Sequence, residues 1–135
     1  MKNTEELYEL IFEELNEPTA EALCFEILGE APVIPSKELG LWEVEIASLV
    51  LEPGFTIPNA HLRLLRYEDI IYDVELNFTT SSLKPELLPR FVDTLHRFAR
   101  QLAVKHSITS YYSGLEPAAD EETRLFTGSE RGPYA

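Results

Sequence analysis

Three histidines, one cysteine and several close-set carboxylates are the side chains in this sequence whose chemistry can reach beyond packing. His96 and His106 share one helical pattern but stand about 15 Å apart along its axis, too far to share a metal ion. His106 fits a helix C-terminus, where the dipole favours a cation, and His61 at a strand start reads as a surface residue. Cys24 would need a nearby cation to become a nucleophile. Its neighbours are Leu23, Phe25 and the carboxylate Glu26, so it reads as a small buried apolar residue. Neither Glu68-Asp69 nor Glu116 with Asp120, Glu121 and Glu122 has the spaced oxygens and turn glycine of a calcium loop. No phosphate-cradling glycine loop, dinucleotide fingerprint, metalloprotease helix or serine elbow occurs. The expectation is a protein that is not an enzyme, with no cofactor and no metal. The aromatic pair Tyr111-Tyr112, with Trp42, Phe126 and Tyr134, either forms a protein-binding patch or pins the tail to the core. The sequence leaves both open.

Charge is more informative than any motif. The formal net charge is −13, and it is unevenly spread. Residues 1–60 carry 13 acidic and 2 basic side chains, residues 61–107 carry 6 and 7, and residues 108–135 carry 5 and 2. Duplex DNA and anionic membrane need Lys and Arg against their phosphates, so neither is an expected partner. A composition 44% hydrophobic and 26% charged suits a soluble globular protein. One domain over residues 1–135 is expected, with 109–135 as a partly ordered tail. No apolar run approaches the roughly 20 residues of a membrane span, the start is acidic where a secretion signal is basic, and the lone cysteine forms no internal disulfide. These point to the cytoplasm.

Elements must position these groups. Leu88, Phe91, Val92, Leu95, Phe98, Ala99, Leu102 and Ala103 recur at steps of three and four, which predicts an amphipathic helix over 82–108. Leu7, Leu10, Ile11 and Leu15 predict another over 4–16, ended by Pro18. Alternation of Leu23, Phe25 and Ile27 predicts a strand over 22–30. Trp42, Val44 and Ile46 begin a strand over 41–52 whose apolar parity switches to Leu49 and Leu51, the mark of a bulge or of a second buried face. Residues 60–66 and 70–79 read as a hairpin closed by Tyr67-Glu68-Asp69. Beyond Ile108 the pattern predicts a short strand at 109–113 broken by Gly114, an acidic helical turn, an extended 124–127 and a loose end.

The expected fold is α+β, in the order α-β-β-β-β-α. A four-stranded antiparallel sheet carries both helices on one face. Strand alternation then puts Glu26, Glu43, Glu45, Asp73 and Glu75 on the other face, as an acidic surface. Those five, with Tyr111 and Tyr112, are the expected partner-binding residues. In size, element pattern and the glutamate-rich run from Glu5 to Glu52, the chain resembles the small acidic immunity proteins of bacterial toxin systems. The resemblance implies a stoichiometric inhibitor whose partner is a basic toxin, with no motif that transfers a residue role. Two alternatives remain. Secretion-effector chaperones are also small and acidic, but they place a helix where only Tyr67-Glu68-Asp69 stands here. A small enzyme would need His61 clustered with carboxylates in a deep pocket. Oligomeric state stays open.

Overall fold

Asn16 sets the N-terminal geometry of the molecule. Its side chain accepts a hydrogen bond from the Thr19 amide at 2.9 Å, Pro18 lies in the first turn, and Gly29 closes the segment in the left-handed conformation at φ 78°. A capping oxygen, an early proline and a terminal glycine define a helix. In the computed structural model, which describes residues 6–68, 70–81 and 83–135, residues Glu17–Leu28 form that helix, α1. It buries Ala20, Leu23 and Cys24 and leaves Phe25 55% exposed. The strand expected over 22–30 is therefore a helix, and Pro18 starts the element it was expected to end.

The N-terminal helix expected over 4–16 is also corrected. Leu7–Leu15 is a strand, β1, in the interior of the sheet. Residues 8 to 12 are all buried. An apolar run buried on both faces satisfies helical and extended spacing equally, and here the sheet wins.

The remaining strands are β2 (Gly40–Glu52), β3 (Phe55–Glu68), β4 (Ile71–Thr79), β5 (Tyr111–Leu115), β6 (Arg124–Thr127) and β7 (Glu130–Arg131). They form one antiparallel sheet in the order β2-β3-β4-β1-β5-β6-β7. The four-stranded sheet in the order α-β-β-β-β-α is thus replaced by seven strands and two helices. The tail does not end loosely. Gly132 and Tyr134 donate backbone hydrogen bonds to Leu125 and Arg124, and the Tyr134 hydroxyl reaches Glu6 at 2.9 Å. Gly114 lies inside β5, not at a break, because an added Cβ would meet the Thr123 carbonyl oxygen at 2.7 Å.

The long helical pattern divides at Pro89. A 3-10 segment, Pro85–Arg90, leads into α2, Phe91–Lys105. Phe91, Leu95, Ala99, Leu102 and Ala103 are buried as the stripe requires, whereas Leu88 in the 3-10 turn is 46% exposed. Tyr8 packs against both Phe78 and Phe91, and the Tyr72 hydroxyl donates to Glu17. Both helices therefore cover the sheet face that carries Leu10, Phe12, Leu62, Leu64, Val74 and Leu76. The parity switch in β2 marks where the hairpin turns its odd-numbered residues into the same core. Asn59 on the paired strand adopts φ 61°, and beyond it Leu49, Leu51, Phe55 and Ile57 are buried. Arg90 stands over the Phe55 ring, and Arg97 and Arg90 bridge to Glu52. The hairpin tip is thereby held on the helical side.

Candidate functional site

Among the described residues neither α1 nor α2 lies over the opposite face of the sheet. At β1 and β5 the segment 116–124 packs against it, Ala118 donating its amide to Glu9 at 2.8 Å, and strand alternation decides what the rest of the face shows. The register places Glu45 beside His61 and His61 beside Asn77 in one row, and Glu43 beside Arg63 and Arg63 beside Glu75 in the next. Continuing across β1 and β5, Glu75 neighbours Ile11, and Ile11 neighbours Tyr112.

His61 is held between two carboxylates. Its Nε2 lies 2.8 Å from Glu43 and its Nδ1 2.8 Å from Glu45. The hydrogen bond to Glu43 raises its pKa, partial burial opposes this, and Glu45 adds to the rise. Arg63 spans the neighbouring acids, with Nη1 3.3 Å from Glu75 and Nε 3.6 Å from Glu43. At 3.6 Å the second contact is an ion pair and not a hydrogen bond, so the buried Nε keeps its proton unshared. Asn77 Oδ1 is likewise buried without a donor. Glu43, Glu45, His61, Arg63 and Asn77 line an open concavity of about 400 Å³ together with Asn59 and Glu116.

A second acidic cluster lies toward the bulged end of β1. Asp73 accepts the Glu14 amide at 3.0 Å and is hydrogen bonded by Tyr67. Burial raises the Asp73 pKa, and Glu13 and Glu14 repel its charge further. Burial also raises Glu75, which Arg63 opposes and Glu9, Asp73 and Glu116 reinforce. The Tyr112 hydroxyl is pushed up to about 12 by burial and by Glu13, while Arg124 stacks on its ring at 4.2 Å. The face thus concentrates negative charge that its own His61, Arg63 and Arg124 do not balance.

Of the seven expected binding residues, Glu43, Glu45, Asp73, Glu75 and Tyr112 share this face. Glu26 does not, because it lies on α1. It accepts from His106 at 2.6 Å and pairs with Lys105 at 3.2 Å. Burial would raise its pKa, but those hydrogen bonds outweigh it and the net shift is downward. Tyr111 points to the core, stacked on Phe12 and edge-on to Phe126, so the pinning reading holds for it. His106 does close the α2 C-terminus, and His96 bonds the Gly128 carbonyl at 2.7 Å. Burial raises Cys24 to about 12, which keeps its thiol protonated. Arg63, Tyr67 and Glu13 escaped the sequence reading, which took His61 as a surface residue and named it only for the enzyme alternative. The odd residues of β3 carry His61, Arg63 and Tyr67, and pairing them with the clear alternation of β4 would have placed them on this face. The His61 cluster meets half the condition set for an enzyme, but the concavity is open and not deep. Among the described residues no three His, Cys, Asp or Glu side chains converge to hold a metal.

Comparison with known proteins decides the class. Residues 33–131 match the family model of the PABL017 Cdi1I immunity protein. The chain belongs to that family. It is an immunity protein of a toxin system, as the resemblance in size, charge and pattern implied. No curated protein matches it by sequence. Its fold matches one chain of a crystal structure of the toxic C-terminal tip of CdiA from Pseudomonas aeruginosa in complex with immune protein, with a TM-score of 0.80. The match covers 98% of this chain and 100% of that one at 23% identity. The α+β class stands, with more strands than expected. No helix among the described residues is long and apolar enough to cross a membrane.

Proposed function

We propose that this immunity protein neutralises a basic cognate toxin by stoichiometric, non-catalytic binding through the open face of its sheet. Glu43, Glu45, Asp73 and Glu75 supply the charge, and Tyr112 supplies an aromatic anchor. The observation that carries the reading is the gathering of these carboxylates from separate strands onto the one face that the helices leave uncovered. Burial raises Asp73 and Glu75, so a cation from a partner gains more there than at a fully hydrated carboxylate. The solved complex of a CdiA tip with its immune protein supports a toxin of that class as the partner. The reading treats residues 1–135 as one domain, supported by one core cluster that joins both helices to six of the strands. It also places the action in the cytoplasm, a reducing compartment suited to a fold whose one cysteine is a buried free thiol.

The test is calorimetric titration against the cognate toxin tip. Combined Glu43→Gln, Glu45→Gln, Asp73→Asn and Glu75→Gln substitutions should weaken binding about ten-fold or more, with the fold checked by circular dichroism. Glu26→Gln, on the helical side, should leave affinity unchanged. Equal affinity of the combined variant and the parent would refute the open face as the binding surface.

A further inference from the structure

The geometry points to a mode of engagement that rests on the toxin reading above: the toxin adds a strand to the free edge of β2, and that strand alternates basic with apolar side chains. Among the described residues β2 pairs with β3 alone, so its outer edge carries unshared backbone donors and acceptors. Sheet edges are ordinarily blunted by short strands, prolines, lysines or a covering element. The opposite edge follows that rule, since β7 is the two residues Glu130–Arg131. β2 departs from it. It runs for 13 residues with no proline and no basic side chain, and its register with β3 is regular until Val50.

The two sides of that edge specify the added strand. On the open side stand Glu43 and Glu45, with side chains 45% and 76% exposed. His61 and Arg63 engage only Oε1 of these carboxylates, which leaves Oε2 of each available. On the helical side Trp42, Val44 and Ile46 are half-buried and border the core. A strand laid alongside would set alternate residues against carboxylates and against apolar groups, and main-chain hydrogen bonds would supply affinity. A second copy of this chain is disfavoured in the register centred on Val44. Antiparallel β2 strands centred on Val44 would set Glu43 across from Glu45, and like charges directly opposite are destabilising. The edge is continuous with the acidic open face, so one partner can engage both.

The test is amide hydrogen exchange, read residue by residue, on the chain alone and with the inactivated cognate toxin tip. In the free chain alternate amides of residues 41–47 should exchange fast while their neighbours, bonded to β3, exchange slowly. Complex formation should slow the fast set about ten-fold or more. A complex that forms with those rates unchanged would overturn strand addition and leave the open-face reading standing. No complex at all would overturn both. Protection that grows with the chain's own concentration would assign the edge to a second copy and overturn the proposal. A Glu43→Lys, Glu45→Lys variant that still folds should lose β2 protection in the mixture, and retention of full protection would refute the charge rule for the added strand.

Discussion

At the scale of single residues, the open face stores charge against its own preference. Asp73 is raised by burial and by Glu13 and Glu14, so its ionised form costs stability at neutral pH, and the cost is relieved as pH falls toward the raised value. Asp73→Asn keeps an oxygen for the Glu14 amide and removes the charge. The variant should be more stable by about 0.5–1 kcal/mol in urea unfolding at pH 7 while binding toxin less tightly, the trade expected where a site is kept strained for function. A loss on both counts would mean that the carboxylate is structural. His61 runs the other way. Its folded pKa lies above the ordinary 6.5 because Glu43 and Glu45 hold its proton. The stability it adds is fully present below that value and fades as pH rises through the raised one. Thermal melts of the parent should therefore fall as pH is raised from about 6 to about 8, and His61→Gln should flatten that slope.

At the scale of elements, the same rules that read the chain well in one place fail in another. β4 alternates buried with half-buried residues along its whole length because one face meets the helices and the other stays open. Its period is therefore unambiguous. β1 lies between β4 and β5 with residues 8 to 12 all buried, so its apolar residues fit a helical period as readily as an extended one. The glutamates at positions 9, 13 and 14 add helix propensity that tertiary pairing overrides. α1 was legible through Asn16, Pro18 and Gly29, but only to a reader who takes a proline as the start of a helix and not its end. The carboxylates on β2 and β4 were placed correctly by alternation, whereas Glu26 was misplaced with its element. His61 and Arg63 became part of the site only through pairing across strands, which a single segment does not reveal. Gly114 makes the same point for the tail. Its missing side chain lets β5 and β6 approach, so Gly114→Ala should cost about 1–3 kcal/mol through overpacking. Chemical denaturation checks this, and an unchanged midpoint would mean that the Thr123 backbone yields freely.

At the scale of the whole molecule, charge is segregated by the fold as well as by the sequence. The open face carries Glu43, Glu45, Asp73 and Glu75, while Arg90, Arg97, Arg100 and Lys105 ride on the 3-10 turn and α2 across the sheet. Part of that basic side is spent internally, through Arg90 and Arg97 on Glu52 and Lys105 on Glu26. The net charge of −13 therefore has a direction and not only a size. A basic partner approaching in solution is drawn toward the open face and away from α2, whereas α1, with Glu17, Glu21 and Glu26 and no basic side chain, offers it no such repulsion. Steering of this kind raises association rates by about 10–10³-fold and is screened once the Debye length falls below the separation of the charges. Stopped-flow association with the toxin tip should slow about ten-fold or more as salt is raised from about 0.05 to about 0.5 M, with dissociation changed far less. The variant neutralised at positions 43, 45, 73 and 75 should lose most of that salt dependence, and Glu26→Gln should retain it. Association insensitive to salt in the parent would mean that the segregated charge serves solubility alone, and that contacts at short range select the partner.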